Sequence, residues 1–490
     1  MRRLQPTVTT TFGMSRGRHH QMPADLRLFF IGLLLGLLLI APHQGFAGGF
    51  RIIDQSASAT GQSSAFTAQA DDPSAEYYNP AGMTQLRGVQ LSLGTLLIGG
   101  STSYTSTFPG TFGATATGNF GNSVASPPPT NFYITANLKD LGLTALGDLS
   151  AGFAVVAPFG TLYNWPNNGP FNTALTNQAL ELFDFKPTLA YKLNDQLSVG
   201  LGMDIYTFLN FWGEGHAETK FNASPFLAPL GIPPGAPLEI NGRDTALGFN
   251  ASFMYTPFRN ADGKPLANVG FVYRSQATLH LDGQFLVGGA FAADASTTLV
   301  LPQVLTGGVA LWPVRDKERE WKLELDVDYT GWKSVRNTDV HLSSGATIPV
   351  PRNWSNSFMT MIGTEYKFLQ LEQLPHWEVA LRGGYWYSQT PIPDATFSPG
   401  VPDANSNAIS VGLGLLCKGE GRFFGVIPCD SSGGSPLLPK AIALDLAYQA
   451  ILYETRTVTG SVPPLTLPGT VDGTYQTTHH IGSINLRMNF

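Results

Sequence analysis

The stretch at residues 321–330 sets the hardest constraint on this fold. Leu323, Leu325, Val327 and Tyr329 alternate with Lys322, Glu324, Asp326 and Asp328, a period of two that belongs to a β-strand. One face is apolar and the other carries a charge at every position. Charges so regularly spaced cannot face lipid, so they face a lumen. The pattern recurs. Leu197, Val199, Leu201, Met203 and Ile205 alternate with Ser198, Gly200, Gly202 and Asp204; Ile442, Leu444, Leu446 and Tyr448 alternate with Ala443, Asp445, Ala447 and Gln449. The last strand sets Ile484, Leu486, Met488 and Phe490 against Ser483, Asn485, Arg487 and Asn489. Segments of ~10 residues with this alternation, separated by turn signals, are the signature of a transmembrane β-barrel.

About 14 such segments begin near Val89, Asn131, Leu149, Phe183, Leu197, Thr245, Asn268, Thr297, Trp321, Ser357, Trp377, Asn407, Ala441 and Tyr475, an even number as bacterial barrels require. The fold class is therefore all-β, a transmembrane antiparallel β-barrel in the bacterial outer membrane. Long loops are expected outside at residues 101–130, 165–182, 213–243, 283–296, 337–353, 388–405 and 459–473, with short turns at the other end except for the insert 417–439. The eight tryptophans, Trp165, Trp212, Trp312, Trp321, Trp332, Trp354, Trp377 and Trp386, fall at or near predicted strand ends, where an aromatic girdle sits.

Composition agrees: 13% of residues are charged and 43% hydrophobic, with a mean hydropathy of +0.01, too polar for a bundle of spanning helices. Only residues 28–41 approach a span. They follow Arg16, Arg18 and Arg27 and precede Gly45-Phe46-Ala47, the basic head, apolar core and small-residue exit of a cleavable signal peptide over residues 1–47. Its removal takes away five basic residues and one acidic residue and leaves a net charge of −10, which does not suit nucleic acid. Cys417 and Cys429, twelve apart, are disulfide candidates in an exported chain. With no His beside them they suggest no metal site, and nothing else in the sequence calls for a cofactor.

After the leader, residues 48–87 are small and polar, with Ser56, Ser58, Thr60, Gly61, Ser63, Ser64 and Thr67. Such a segment is too poor in large apolar residues to fold alone. It is expected to fold inside the barrel of residues 88–490 as a plug, or hatch.

Gly48-Gly49-Phe50, Ala70-Asp71-Asp72-Pro73 and Asn79-Pro80-Ala81-Gly82 resemble the N-terminus of the outer-membrane long-chain fatty acid and aromatic hydrocarbon transporters of the FadL/TodX type. The similarity continues through Ala157-Pro158-Phe159-Gly160-Thr161, Tyr273-Arg274-Ser275, Asp328-Tyr329-Thr330-Gly331-Trp332, Leu381-Arg382-Gly383-Gly384-Tyr385 and Val401-Pro402-Asp403. What the resemblance implies is a monomeric, hatch-closed barrel in outer-membrane lipid, which takes up hydrophobic small molecules passively and releases them through a kink in the third strand. The hatch turn would be Asn79, Pro80 and Ala81, lying against a kink at Pro158, Phe159 and Gly160. Proline and glycine interrupt a strand ladder, and the Asn79 amide is a candidate partner for the freed backbone.

One departure bears on substrate. Fatty-acid members carry basic residues where this chain reads Tyr206-Thr207-Phe208-Leu209-Asn210-Phe211-Trp212. A carboxylate would then be met elsewhere, with Arg274, Arg382 and Lys333 as candidates, or the ligand is a neutral aromatic hydrocarbon. Ligand capture is expected at Phe208, Phe211, Trp212, Phe226 and Phe285. The competing classes are a barrel enzyme, an adhesin and a general porin. No Gly-x-Ser-x-Gly elbow is present, and neither His280 nor His479-His480 has an evident Ser partner, so no enzymatic activity is expected. A general porin would lack the small-residue plug.

Overall fold

The computed structural model describes residues 48–108, 110, 113–429, 438–462 and 471–490; the expected leader, residues 1–47, lies outside them. Fourteen antiparallel strands close on themselves: β1 (Val89–Ser106), β2 (Thr130–Asn137), β3 (Leu149–Asn164), β4 (Asn177–Lys192), β5 (Leu197–Thr207), β6 (Ala246–Arg259), β7 (Pro265–Arg274), β8 (Val304–Arg315), β9 (Arg319–Thr330), β10 (Ser357–Phe368), β11 (Trp377–Ser388), β12 (Ser406–Lys418), β13 (Ala441–Tyr453) and β14 (Gly473–Asn489). Each strand pairs with the next, and β14 returns to β1 from Gln90↔Asn489 to Ser106↔Gly473. Closure leaves no sheet edge in lipid, which is what permits a sheet to span a membrane.

The strand expected near Thr297 is displaced. Ala290–Leu301 pairs with Ala277–Val287 in a loop hairpin, and the wall strand begins at Val304. Pro302, with no N–H to give, falls in the break between them. The tryptophan girdle is also mostly absent. Trp165, Trp312, Trp332, Trp354 and Trp386 are buried, and Trp212 lines an interior cavity. Trp321 and Trp377 share strand parity with the exposed Leu323 and Leu381. Position near a strand end sets depth, but parity sets the face, and Trp386 shares the parity of the lumenal Arg382.

The lumenal charges behave as the alternation demands. Lys322, Glu324, Asp326 and Asp328 are all buried inside the cylinder, and so are most of residues 48–87. Residues 54–70 of that segment are buried without exception. Its turns offer backbone N–H groups to β9 carboxylates: Phe66 and Thr67 donate to Asp326 Oδ2 at 3.0 and 2.9 Å, and Ala68 and Gln69 donate to Glu324 Oε1 at 2.7 and 3.2 Å. Ala57 N donates to Asn485 Oδ1 and the Ser63 hydroxyl to Ser410, so β12 and β14 hold the same segment as β9. Inward glycines make room for it. A Cβ on Gly384 would stand 2.3 Å from the Gln62 carbonyl carbon, and one on Gly412 2.9 Å from Gly61 Cα. Around this contact runs an ion-pair chain in which Arg382 joins Glu365 and Asp445 at 2.7 and 2.6 Å, and Asp445 also takes Arg487 at 2.6 Å.

Each hydrogen bond to a charged acceptor contributes about 1.5–3 kcal/mol, so removing both β9 carboxylates should loosen the segment without opening the wall. Glu324→Ala/Asp326→Ala barrels are expected to show ion conductance in planar bilayers that the parent lacks; equal and negligible conductance in both would contradict this role for the four bonds.

Candidate functional site

The site grows from an incomplete ladder. β2 is short, and it pairs with β1 only over Val89–Thr95 and with β3 only up to Val155. β1 and β3 both run on beyond it. β1 turns to a loop hairpin at Thr115–Val124, while β3 keeps β4 on one side, through a bulge between Val156 and Phe159. On its other side, above Val155, the one ladder pairing of β3 with that hairpin among the described residues is Asn119↔Asn164. Backbone groups freed in this way must find partners inside the protein.

The first residues of the plug supply them. Ile52 N donates to Pro158 O at 2.8 Å and Gly160 N donates to Phe50 O at 2.9 Å, with Arg51 bridged to Phe159. Gln55 completes the set with its side chain: Nε2 donates to Ala157 O at 3.0 Å and Oε1 accepts from Ala157 N at 3.2 Å. The plug thus stands in for the missing strand. Arg51 anchors this edge through an ion pair to Asp328 at 2.7 Å.

Asn79 was the expected partner, and its bonds run elsewhere. Nδ2 donates to Thr67 O and Phe253 O at 2.8 and 3.1 Å, and Oδ1 accepts from Ala81 N at 3.1 Å as the cap of Pro80–Gln85. Pro80 and Ala81 pack against β5, where a Cβ on Gly200 would meet both. The hatch turn and the Pro158, Phe159 and Gly160 kink are therefore not in hydrogen-bonded contact. Gln55 lies in a run of small polar residues, and nothing in its neighbours distinguishes it before the strand bulge is known.

Two cavities flank Phe50. The inner, of about 210 Å³, is lined by residues 48–54, by Ile98, Pro127 and Pro129 beside the gap, by Phe159 and Gly160 of the bulge, and by Trp212 and Asp403. The outer, of about 500 Å³, lies among the loops and is walled by Leu175, Phe221, Leu299, Val340, Trp354 and Phe397. Phe50, Thr161, Leu180 and Val401 line both. Phe50 holds its place by ring contacts to Trp332 at 4.9 Å, Trp354 at 5.7 Å and Phe159 at 5.9 Å.

The other expected ligand residues scatter. Phe208 is buried in the aromatic cluster around Phe50. Phe285 packs with Phe221, Leu238 and Val340 in the interior of the loop hairpins. Phe211 and Phe226 are 82% and 66% exposed and line neither cavity. Arg274 lies under the plug, donating to Tyr77 O and stacking over the Tyr77 ring at 4.3 Å; Arg382 is committed to Glu365 and Asp445. Neither reaches a cavity, and Lys333 is exposed on the short turn Trp332–Ser334.

The cation that does line the outer cavity is Arg352. Its Nε donates to Thr338 Oγ1 at 3.1 Å, and among the described residues it has no carboxylate partner. Burial alone acts on it, lowering its pKa to about 10, so it remains charged at neutral pH. Nearby, His216, Glu218 and Glu239 bring their ligand atoms within 4.8 Å of one another, but Lys220 Nζ already sits 2.8 Å from Glu218 and fills the place of a cation. Cys417 and Cys429 are joined at the opposite end of the barrel.

Comparison with known proteins places this architecture. The family described as outer membrane protein transport protein (OMPP1/FadL/TodX) matches residues 38–420. A FadL homologue of Pseudomonas aeruginosa is similar in structure, with a TM-score of 0.70 at 18% identity over 90% of this chain and 100% of that one. The P. putida toluene transporter TodX gives 0.57 at 15% over 91% and 99%, and the Ralstonia pickettii toluene transporter TbuX 0.55 at 14% over 90% and 100%. No curated protein matches. At these identities the likeness in structure carries the fold, and the family match carries the kinship: this chain belongs to the OMPP1/FadL/TodX family of bacterial outer-membrane transport proteins.

Proposed function

We propose that this protein carries long-chain fatty acids passively across the outer leaflet and releases them sideways through the gap above β2. The observation that carries the reading is the substitution of plug residues 50–55 for a wall strand along β3. A solute that avoids water gains nothing from an aqueous pore. It gains a great deal from an apolar path that ends in lipid. The outer cavity receives the ligand among the loops, and its volume falls in the usual range for a small-molecule site. Phe50 separates that cavity from the inner one. When the first plug residues shift, Phe50 moves with them, the cavities join, and β3 loses the partners that seal its edge.

Arg352 favours an anionic head over a neutral ring. A guanidinium among apolar side chains, with no acid to neutralise it, suits a carboxylate through paired N–H donors. The runner-up substrate is a neutral aromatic hydrocarbon, the class named for the TodX and TbuX neighbours, and the same route serves it without use of Arg352.

Three measurements test these steps. Replacing residues 157–160 so that the bulge is lost and the strand runs straight should reduce uptake of radiolabelled oleate to background while leaving oleate binding in place; full uptake by correctly assembled barrels would remove the lateral route. Arg352→Met should weaken oleate binding about tenfold, the loss of one charged contact of about 1.4 kcal/mol, and leave toluene binding unchanged. The two ligands responding alike would set the carboxylate reading aside. In the inner cavity, burial pushes the Asp403 carboxyl up to about 7, so it is neutral below that pH and negative above it. Oleate uptake should therefore fall as the pH rises through 7, with no such fall in Asp403→Asn.

A further inference from the structure

The connection between β12 and β13 is the long one at the short-turn end, the periplasmic end of an outer-membrane barrel. Its described beginning, residues 419–429, folds back against the outside of the wall. Strand parity places it there. On β12, Ile409 and Val411 are exposed to lipid, and Cys417 shares their face, yet it is 0% exposed. Ile442 shares the face of Leu446 and Tyr448 on β13, Leu486 that of Ile484 on β14, and Trp377 that of Leu381 and Tyr385 on β11. Cys417, Cys429 and Ile442 form one buried cluster against which Trp377, Phe423 and Leu486 pack.

What covers them is a small hairpin, Arg422–Phe423 against Ile427–Pro428, closed by the Cys417–Cys429 disulfide. The Phe423 and Phe424 rings lie 5.8 and 5.7 Å from the Trp377 ring. Having covered one stretch of lipid-facing wall, the hairpin presents another apolar surface in its place. Phe424 is 61% exposed, Val426 75% and Ile427 41%. In water this surface would be a standing cost of about 25 cal/mol per Å² of apolar area. Here it continues the apolar belt of the barrel at its rim. Arg422 beside it is exposed and has no acidic partner among the described residues, which suits a phosphate.

We propose that this disulfide-closed hairpin is a lipid foot, setting Phe424, Val426 and Ile427 into the periplasmic leaflet with Arg422 at the depth of the phospholipid phosphates. It fixes the vertical position of the barrel on the β11–β14 side. Amphipathic surfaces of this kind bind at the boundary of headgroups and acyl chains, and the disulfide removes the entropy the loop would otherwise lose on docking there.

The test places photoreactive benzoylphenylalanine at position 424 of the full chain, in vesicles of phosphatidylethanolamine and phosphatidylglycerol and in intact cells. Position 409, on the lipid-facing wall, is the positive reference, and position 317, in another turn at the same end, is the negative one. Phospholipid adducts are expected at 424 and 409 and not at 317, and Cys417→Ser/Cys429→Ser should abolish the adduct at 424 while sparing that at 409. Should the serine variant fail to assemble, the probe moves to position 426 of the disulfide-bonded chain, where a lipid adduct is again expected. Absence of lipid adducts at 424 and 426 while 409 reports, or adducts to a periplasmic protein in their place, would overturn the proposal.

Discussion

A peptide group inside a bilayer has no water to turn to, and β3 carries several that its neighbouring strand does not reach. The rest of the structure depends on how that shortage is met. Because β2 stops early, the wall has an unfinished edge from Ala157 to Gly160, and because Pro158 and the bulge bend that edge, only something inside the barrel can reach it. Residues 50–55 do so. Both cavities then follow from the position of one phenylalanine on that borrowed strand.

Buried ion pairs are weak sources of stability, since desolvation offsets most of their Coulomb gain. In this lumen their use is organisational. Glu324 and Asp326 spend their lone pairs on plug amides, whereas Arg382, Glu365, Asp445 and Arg487 neutralise one another. The lysine at 322 completes the arrangement by taking Glu324 Oε2 at 2.8 Å. A polar interior built in this way holds a polar segment, while the apolar cavities gather around the first residues of that segment and, for the outer one, among the loops.

The wall was legible in the sequence because alternation is a local signal. Lys322, Glu324, Asp326 and Asp328 announce their face two residues at a time. Thr297 misled because Ala293, Ala295, Leu299 and Leu301 alternate with Asp294, Ser296 and Thr298 much as a wall strand does, and a hairpin standing above the membrane obeys the same pleat. The tryptophans misled for a related reason: closeness to a strand end says nothing about parity. The site was less legible. Gln55 matters because of a bulge a hundred residues away, and Arg352 because of walls drawn from Leu175, Phe221 and Phe397. Neither relation has a period. Asn79 carried a turn signal and serves as a turn cap, a case in which the local chemistry was readable and its distant partner was not.

The inward glycines have a mechanical consequence. Gly384 and Gly412 let plug backbone rest directly on wall backbone, so the two surfaces mesh like a key in its lock, with no tolerance for sliding. Displacing a stopper seated with so little clearance as one piece would break all of these contacts together. On the route proposed above, the part that has to move is therefore the front end, residues 50–55, ahead of the meshed part, with the remainder left seated as a barrier to ions.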